Sequence, residues 1–521
     1  MKNKEKTTLR KIEYKRIESI YLLIRGVEVG VAAGLICVLY RFLLSLAESG
    51  LDRVLEYIKG SPLKITLWLA ALAALGVFVS YINKWEPDAA GSGIPQTTGD
   101  VRGYFSLNWW RVTLAKLIGG TVTVFAGLSL GREGPSVQLG GMAGKGAARL
   151  TKSDRTSEIR MTSCGAGAGM SAAFNAPIAG MMFIFEEIHH GLDKSILGMG
   201  IVATVVADFI SKIFFGQDPI FYYEAEAFPL RFYPVLIIVG VLLGLCGVFY
   251  NVVMVKAQKL YKKINKIPEP VKMAGVFVIS GIVGLLLPQV LCGGHRMTSL
   301  LMNDNPQLKV LVLLLVAKFI FGAFSFSSGA PGGTLYPLCI LGAYLGAICG
   351  DVSIDVLGLD AELRQEFVIL GMAGLFASIV RAPLTGIILV FELTGNMETL
   401  LPLATVSLTS YAVANLIGTA PFYAILFERA VEKADVPTNV KDVEKVLQTF
   451  VIPVGSKIDG MRIKDIEWGK HCLIVSIDRD EIPITPKGDT ELKEGDVIVM
   501  SISQRHYTQD LNRVYSIINE K

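Results

Sequence analysis

GAGAGMSAAFNAPIAGMMFIFE, residues 165–186, and GMAGLFASIVRAPLTGIILVFE, residues 371–392, carry one pattern at a constant offset of 206. Ala176-Pro177 answers Ala382-Pro383, Gly180 answers Gly386, and Phe185-Glu186 answers Phe391-Glu392. Upstream, Gly131, Pro135, Gly140 and Gly144 match Gly333, Pro337, Gly342 and Gly346 at an offset of 202. The change in offset fits a difference in loop length. Spacing kept over two blocks marks a duplicated chain; a bundle that only needs small residues for close packing would not preserve it. Two related halves suggest an ion site at their interface. Whether they are parallel or inverted is left open by the sequence.

Where the halves differ is informative. Glu133 stands opposite Leu335, and Glu187 opposite Leu393. A carboxylate kept in one half alone is a candidate for chemistry, whereas Glu186, matched by Glu392, reads as structural.

Composition sets the environment. Of 521 residues, 52% are hydrophobic and only 18% are charged, with a mean hydropathy of +0.49, far from a soluble chain of this length. Apolar runs fill residues 21–423. Some, such as 67–82, 235–253, 274–287 and 311–321, suit helices in lipid, while others are short and broken by Gly or Pro. Broken segments survive at membrane depth only where protein or a wet cavity meets the freed backbone groups. Such breaks mark transporter binding sites.

The formal net charge of +4 is local in origin. Lys2, Lys4, Lys6, Arg10, Lys11, Lys15 and Arg16 precede the first apolar run, placing the N-terminus in the cytoplasm. The segment is too long and mixed in charge for a cleaved signal peptide, and no small-residue cleavage site follows. Basic residues beside a span do not call for a nucleic acid, and none is expected as a partner. The seven cysteines lack CxxC spacing and read as buried thiols. His189 and His190 are adjacent and diverge on a helix, so no metal site and no cofactor are expected.

Three glycine-rich stretches contain no obvious nucleophile: GSGIP at 91–95, GREGP at 131–135, and SSGAPGGTLYP at 327–337. Glycine lets backbone approach a ligand, and proline favours a first helical turn. A Gly-rich turn that opens a helix aims unpaired N–H groups at one point, with the positive end of the dipole behind them. Several such ends would hold an anion without a full positive charge, weakly enough to release it. No metal-ligand spacing or nucleophile–base pair points to a membrane-embedded enzyme.

Three such motifs, in this order around the repeat, resemble the CLC family of chloride channels and chloride/proton antiporters over residues 20–430. The resemblance implies an all-α polytopic CLC fold with two related, inverted halves. It also implies a homodimer in the cell membrane with one pathway per protomer. Ser92 of GSGIP would donate its hydroxyl to a central chloride; serine rather than proline there favours chloride over nitrate. Gly93, Ile94, Arg132 and Gly134 belong to the same anion-binding motifs, and the amides of Thr334 and Leu335 would bind the same ion. Tyr423, matched without gaps through Arg429, would close the site from the cytoplasm. Glu133 would be the gating glutamate, and Glu187 the internal proton glutamate that distinguishes antiporters from channels. One departure is Leu335, where the family usually places phenylalanine, which bears on coupling and rate. Lys116 and Arg381 read as ion-pair or field residues.

Beyond residue 436 the composition turns charged and alternating. Residues 472–477, 482–486 and 496–500 read as strands, with turns at 486–489 and 493–496. GMRI at 460–463, IVSIDR at 474–479 and PKGDTELKEGD at 486–496 resemble the RCK C-terminal (TrkA-C) ligand-sensing domain. That implies dimeric pairing and a small regulatory ligand such as a cyclic dinucleotide. The expected organisation is a cytoplasmic N-terminal segment, 1–20, a transport domain, 21–435, and a small cytoplasmic α/β regulatory domain, 436–521. The expected function is chloride/proton antiport under ligand control. A passive chloride channel and a receptor that transports nothing are the alternatives.

Overall fold

The structure is a computed structural model describing residues 2–191, 193–217, 228–304, 306–433, 445–469, 471–479, 482–503 and 507–519. It divides into two compact units, Met1–Val431 and Glu432–Lys521.

The first unit is helical. Its first half comprises α1 (Lys2–Ile58), α2 (Pro62–Trp85), α3 (Ile94–Val101), α4 (Trp109–Phe125), α5 (Glu133–Leu150), α6 (Arg155–Phe174), α7 (Pro177–Phe183) and α8 (Lys194–Phe215). The second half comprises α9 (Tyr233–Lys263), α10 (Glu269–Leu286), α11 (His295–Asn303), α12 (Leu308–Ser327), α13 (Leu335–Leu357), α14 (Arg364–Val380), α15 (Pro383–Thr394) and α16 (Leu400–Leu416). A final helix, α17 (Phe422–Lys433), follows. Among the described residues, nine helices are long and apolar enough to cross a membrane. The chain is a multi-pass membrane protein.

The repeated prolines open helices. Pro177 and Pro383 occupy the first turns of α7 and α15, where the missing N–H costs nothing. The repeated glycines form helix crossings. A Cβ on Gly165 of α6 would lie 3.2 Å from the Gly144 Cα of α5, and one on Gly371 of α14 would lie 2.7 Å from the Gly346 Cα of α13. Lipid is as apolar as a side chain, so close backbone packing of this kind replaces the hydrophobic drive.

The halves are inverted. Gly131 and Gly333, equivalent in the repeat, form an antiparallel bridge and exchange both hydrogen bonds, at 2.7 and 2.8 Å. The exchange relates the equivalent segments by a local two-fold axis, so that they run in opposite directions.

The second unit is a four-stranded antiparallel sheet of order β1-β4-β2-β3, from β1 (Lys445–Val451), β2 (Cys472–Arg479), β3 (Ile482–Ile484) and β4 (Val497–Ser503). One helix, α18 (Tyr507–Asn519), contributes Val514 and Ile518 to its core. The three strands expected from alternation are present. β1 and α18 are additional to those three strands.

Candidate ion-binding site

The three glycine-rich stretches converge. Gly91 N–H donates to Gly329 O at 3.2 Å, and Gly332 N–H to Gly91 O at 3.0 Å. With the Gly131–Gly333 bridge, these bonds tie all three loops into one knot. Glycine is required in two ways. Gly93 caps α3 at φ 93°, a left-handed conformation costly for other residues. At Gly134, a Cβ would meet the Ser92 hydroxyl and lie 3.0 Å from Ser92 O and 3.3 Å from the Gly333 Cα.

The knot places the starts of α3, α5 and α13 at one locality, with N-caps Gly93, Arg132 and Thr334. Ile94, Gly134 and Leu335 are buried in the first turns of these helices. Around them are three buried hydroxyls, of Ser92, Thr334 and Tyr423. None completes a well-aligned hydrogen bond within the described residues, and the Tyr423 hydroxyl lies within reach of those of Ser92 and Thr334. The Tyr250 hydroxyl also borders Thr334. The Phe422 ring turns away, packing against Tyr250 and Phe326. Buried donors without a protein acceptor are costly, and these hydroxyls suit an anion that accepts from all of them.

Glu133 is 1% exposed. Its carboxylate lies beside its own backbone N–H and that of Tyr336, in the first turn of α13. The bare Gly131 makes room for it, since a Cβ there would strike the carboxylate and lie 2.8 Å from Pro337. Arg132 is the N-cap of α5 and not one of its helical residues. Its Nε stands 3.7 Å from the Glu133 carboxylate, too far for a hydrogen bond. A cavity of 160 Å³ opens against this pair, lined also by Glu48, Gly293 and His295.

Glu187 is buried on a π-helical turn, Ile184–His189, that continues α7. It makes no hydrogen bond or ion pair within the described residues and is not brought to Glu133. Its electrostatic neighbours are Arg102, Glu186 and Tyr423. His189 Nε2 lies 2.9 Å from Ser163 Oγ, and His190 Nδ1 2.6 Å from Glu186 O.

The family pattern described as "Voltage gated chloride channel" matches residues 75–415 of this chain. The chain belongs to that family. A TrkA-C domain pattern matches residues 447–511. The H(+)/Cl(-) exchange transporter ClcA of Vibrio parahaemolyticus is 35% identical to this CLC chain, with 80% of the chain and 92% of the relative aligned. The protein of that name from Citrobacter koseri is 32% identical, over 82% and 92%. Among solved structures, a slow cyanobacterial Cl-/H+ antiporter superposes with a TM-score of 0.76 at 27% identity, over 79% of this chain and 98% of that one. A CLC-type fluoride/proton antiporter shares the fold at a TM-score of 0.61 and 20% identity, over 78% and 97%.

The CLC chain also contains a repeated feature that motif reading missed. Lys116, expected as an ion-pair or field residue, makes no ion pair among the described residues: its buried side-chain nitrogen donates to Ala89 O and Gly91 O, at 2.7 and 2.8 Å. Lys318, at the repeat offset of 202, donates likewise to Val290 O and Cys292 O, at 3.0 and 2.7 Å. The loop 290–294 before α11 is therefore the counterpart of GSGIP, with Gly294 at φ 113° as Gly93 is at 93°. The recurrence of Pro87 as Pro288 was the available signal. Arg381 similarly binds carbonyls, Ala414 O at 2.6 Å and Thr419 O at 3.1 Å, instead of a carboxylate. Tyr250 and Arg102 carried no motif.

Proposed function

We propose that this protein is a chloride/proton antiporter, working as a homodimer with one pathway per protomer in the cell membrane. Both termini face the cytoplasm in this reading. The observation that carries it is the position of Glu133, whose buried carboxylate lies beside its own N–H and that of Tyr336, in the first turn of α13. An ionised carboxylate and an anion are rivals for such amides. When protonated, Glu133 loses its charge and yields the place, so one group both gates the anion and carries the proton.

Chloride is held by the Ser92 and Tyr423 hydroxyls and by backbone N–H groups at the starts of α3 and α13, including those of Ile94, Thr334 and Leu335. Gly93 and Gly134 let these segments close around it, and Arg132 adds positive potential on the Glu133 side. Glu187, buried and without a fixed partner, passes protons between the cytoplasm and Glu133. The curated relatives named as proton/chloride exchangers support the same reading. The TrkA-C-like unit takes a small ligand, such as a cyclic dinucleotide, and adjusts the rate. Deleting residues 440–521 leaves chloride flux intact and removes that control.

The test is proton movement driven by a chloride gradient in liposomes, with voltage clamped. Exchange predicts that chloride entry drives protons out. Glu133→Gln and Glu187→Gln abolish the proton flux, and Glu187→Gln spares chloride. Chloride flux without proton flux in the unaltered protein would make it a passive channel.

A further inference from the structure

Two elements that contribute to the anion site run away from it and meet at a residue outside it. Helix α3 begins just after Ser92 and Gly93, and its C-cap is Arg102, about 12 Å along the axis at 1.5 Å per residue. Helix α17 carries Tyr423 in its first turn, and Phe427 four residues later projects from the same side. The Phe427 ring packs edge-on against Tyr104, with centroids 5.2 Å apart. The Arg102 guanidinium lies over the same ring, 5.4 Å from its centroid. The C-terminal end of α3 and the second turn of α17 are thus joined through one cation.

Arg102 then reaches the turn that bears Glu187. Its Nε donates to Ile188 O at 3.1 Å, the carbonyl next along the chain from Glu187. Its charge acts on the Glu187 carboxylate, and its Nη2 is buried with no hydrogen-bond partner among the described residues. The turn itself is peculiar to this half. Ile184–His189 winds as a π-helix, whereas the equivalent residues of the second half continue the regular helix α15 to Thr394. The half with Leu393 is straight, and the half with Glu187 is expanded. A π-turn is a weaker arrangement than an α-helix, is common at functional sites, and needs outside contacts to hold it.

We infer that Arg102 is a positioning residue that links occupancy of the anion site to the placement of Glu187. The inference rests on the exchange reading above. Displacement of Ser92 or Tyr423 when the anion enters or leaves is carried along two short, stiff helices to Arg102. Arg102 grips the turn by Ile188 O and holds a spare N–H pair for the carboxylate. Arg102 touches neither the anion nor its hydroxyl ligands, so it sets coupling and not conduction.

The experiment measures chloride flux and chloride-driven proton flux for the full-length protein in liposomes. Arg102→Gln keeps chloride flux within about twofold and lowers proton flux by about fivefold or more, the lower end of ordinary coupling between sites. Arg102→Lys, which keeps a cation over Phe427, restores most of the proton flux. Phe427→Leu, which removes the aromatic bridge but no charge, lowers the proton-to-chloride ratio by about twofold or more, and it decides the matter if Arg102→Gln does not fold. Unchanged proton flux in Arg102→Gln and Phe427→Leu overturns the inference. So does a parallel fall of both fluxes that lysine does not repair, which is the mark of a merely structural arginine. No proton flux in the unaltered protein overturns the exchange reading itself, and is recognised before any variant is compared.

Discussion

Glu186 and Glu392, equivalent in the repeat, each cap the helix of the other. The Glu186 carboxylate accepts from Leu384 N–H at 3.1 Å and Thr385 N–H at 2.6 Å, at the start of α15. The Glu392 carboxylate accepts from Ile178 N–H at 3.0 Å and Ala179 N–H at 2.8 Å, at the start of α7. Each anion sits at the positive end of the opposite helix, so α7 and α15 are antiparallel neighbours clamped at both ends.

Glu392→Gln replaces a charged acceptor by a neutral one and leaves one of the two amides poorly served. The expected loss is about 1–3 kcal/mol, read as a lower thermal midpoint of the purified protein in detergent. Glu186→Gln produces a loss at least as large, because the Glu186 carboxylate also accepts from the Thr385 hydroxyl at 2.7 Å.

At Gly134, alanine drives a Cβ into the Ser92 hydroxyl and against the Gly333 backbone. Overpacking of this order costs about 1–3 kcal/mol. It falls on the anion site, so chloride affinity measured by calorimetry drops by about tenfold or more. An unchanged affinity would remove Ser92 from the site.

The inversion, in contrast to the repeat, was not legible in sequence. Offsets of 206 and 202 reveal kinship, but they are the same for parallel and inverted halves. Direction is fixed only by long-range contacts such as those of Glu186 and Glu392. The glycine-rich turns that meet at the starts of α3, α5 and α13 were legible because glycine, proline and serine at helix starts are constrained by backbone geometry, which is local. The cluster around Glu187 was not. Arg102 and Phe427 are ordinary residues made relevant by tertiary proximity, and the π-turn follows no pattern that separates it from its straight counterpart.

The paired lysines make a differential prediction. Lys116 holds the loop that presents Ser92, and Lys318 holds the equivalent loop before α11. Lys116→Met weakens chloride binding by about fivefold or more, whereas Lys318→Met changes it by less than about twofold. Equal effects would mean that the lysines act only on folding.

In the C-terminal unit, burial pushes the Asp496 carboxyl up, but Arg479 and the Lys493 N–H outweigh burial and hold it below the usual carboxylate range. Arg479 Nε and Nη2 each donate to it at 2.7 Å. Its stabilisation is complete above the ordinary carboxylate value of about 3.9 and is lost as pH falls through the lower folded-state value. Asp496→Asn therefore speeds hydrogen exchange at the β4 amides near neutral pH, after correction for the intrinsic rate. The gap from the unaltered protein closes as pH falls below the folded-state value of Asp496.

Rivalry between the Glu133 carboxylate and an anion at the start of α13 is tested most directly by anomalous diffraction from crystals grown in bromide. The unaltered protein should show bromide beside Ser92 and Tyr423, with the Glu133 carboxylate on the Tyr336 amide. Glu133→Gln should add a second peak at that amide, where the carboxylate had been. Identical peaks in the two proteins, or none near α13 in either, would contradict the account.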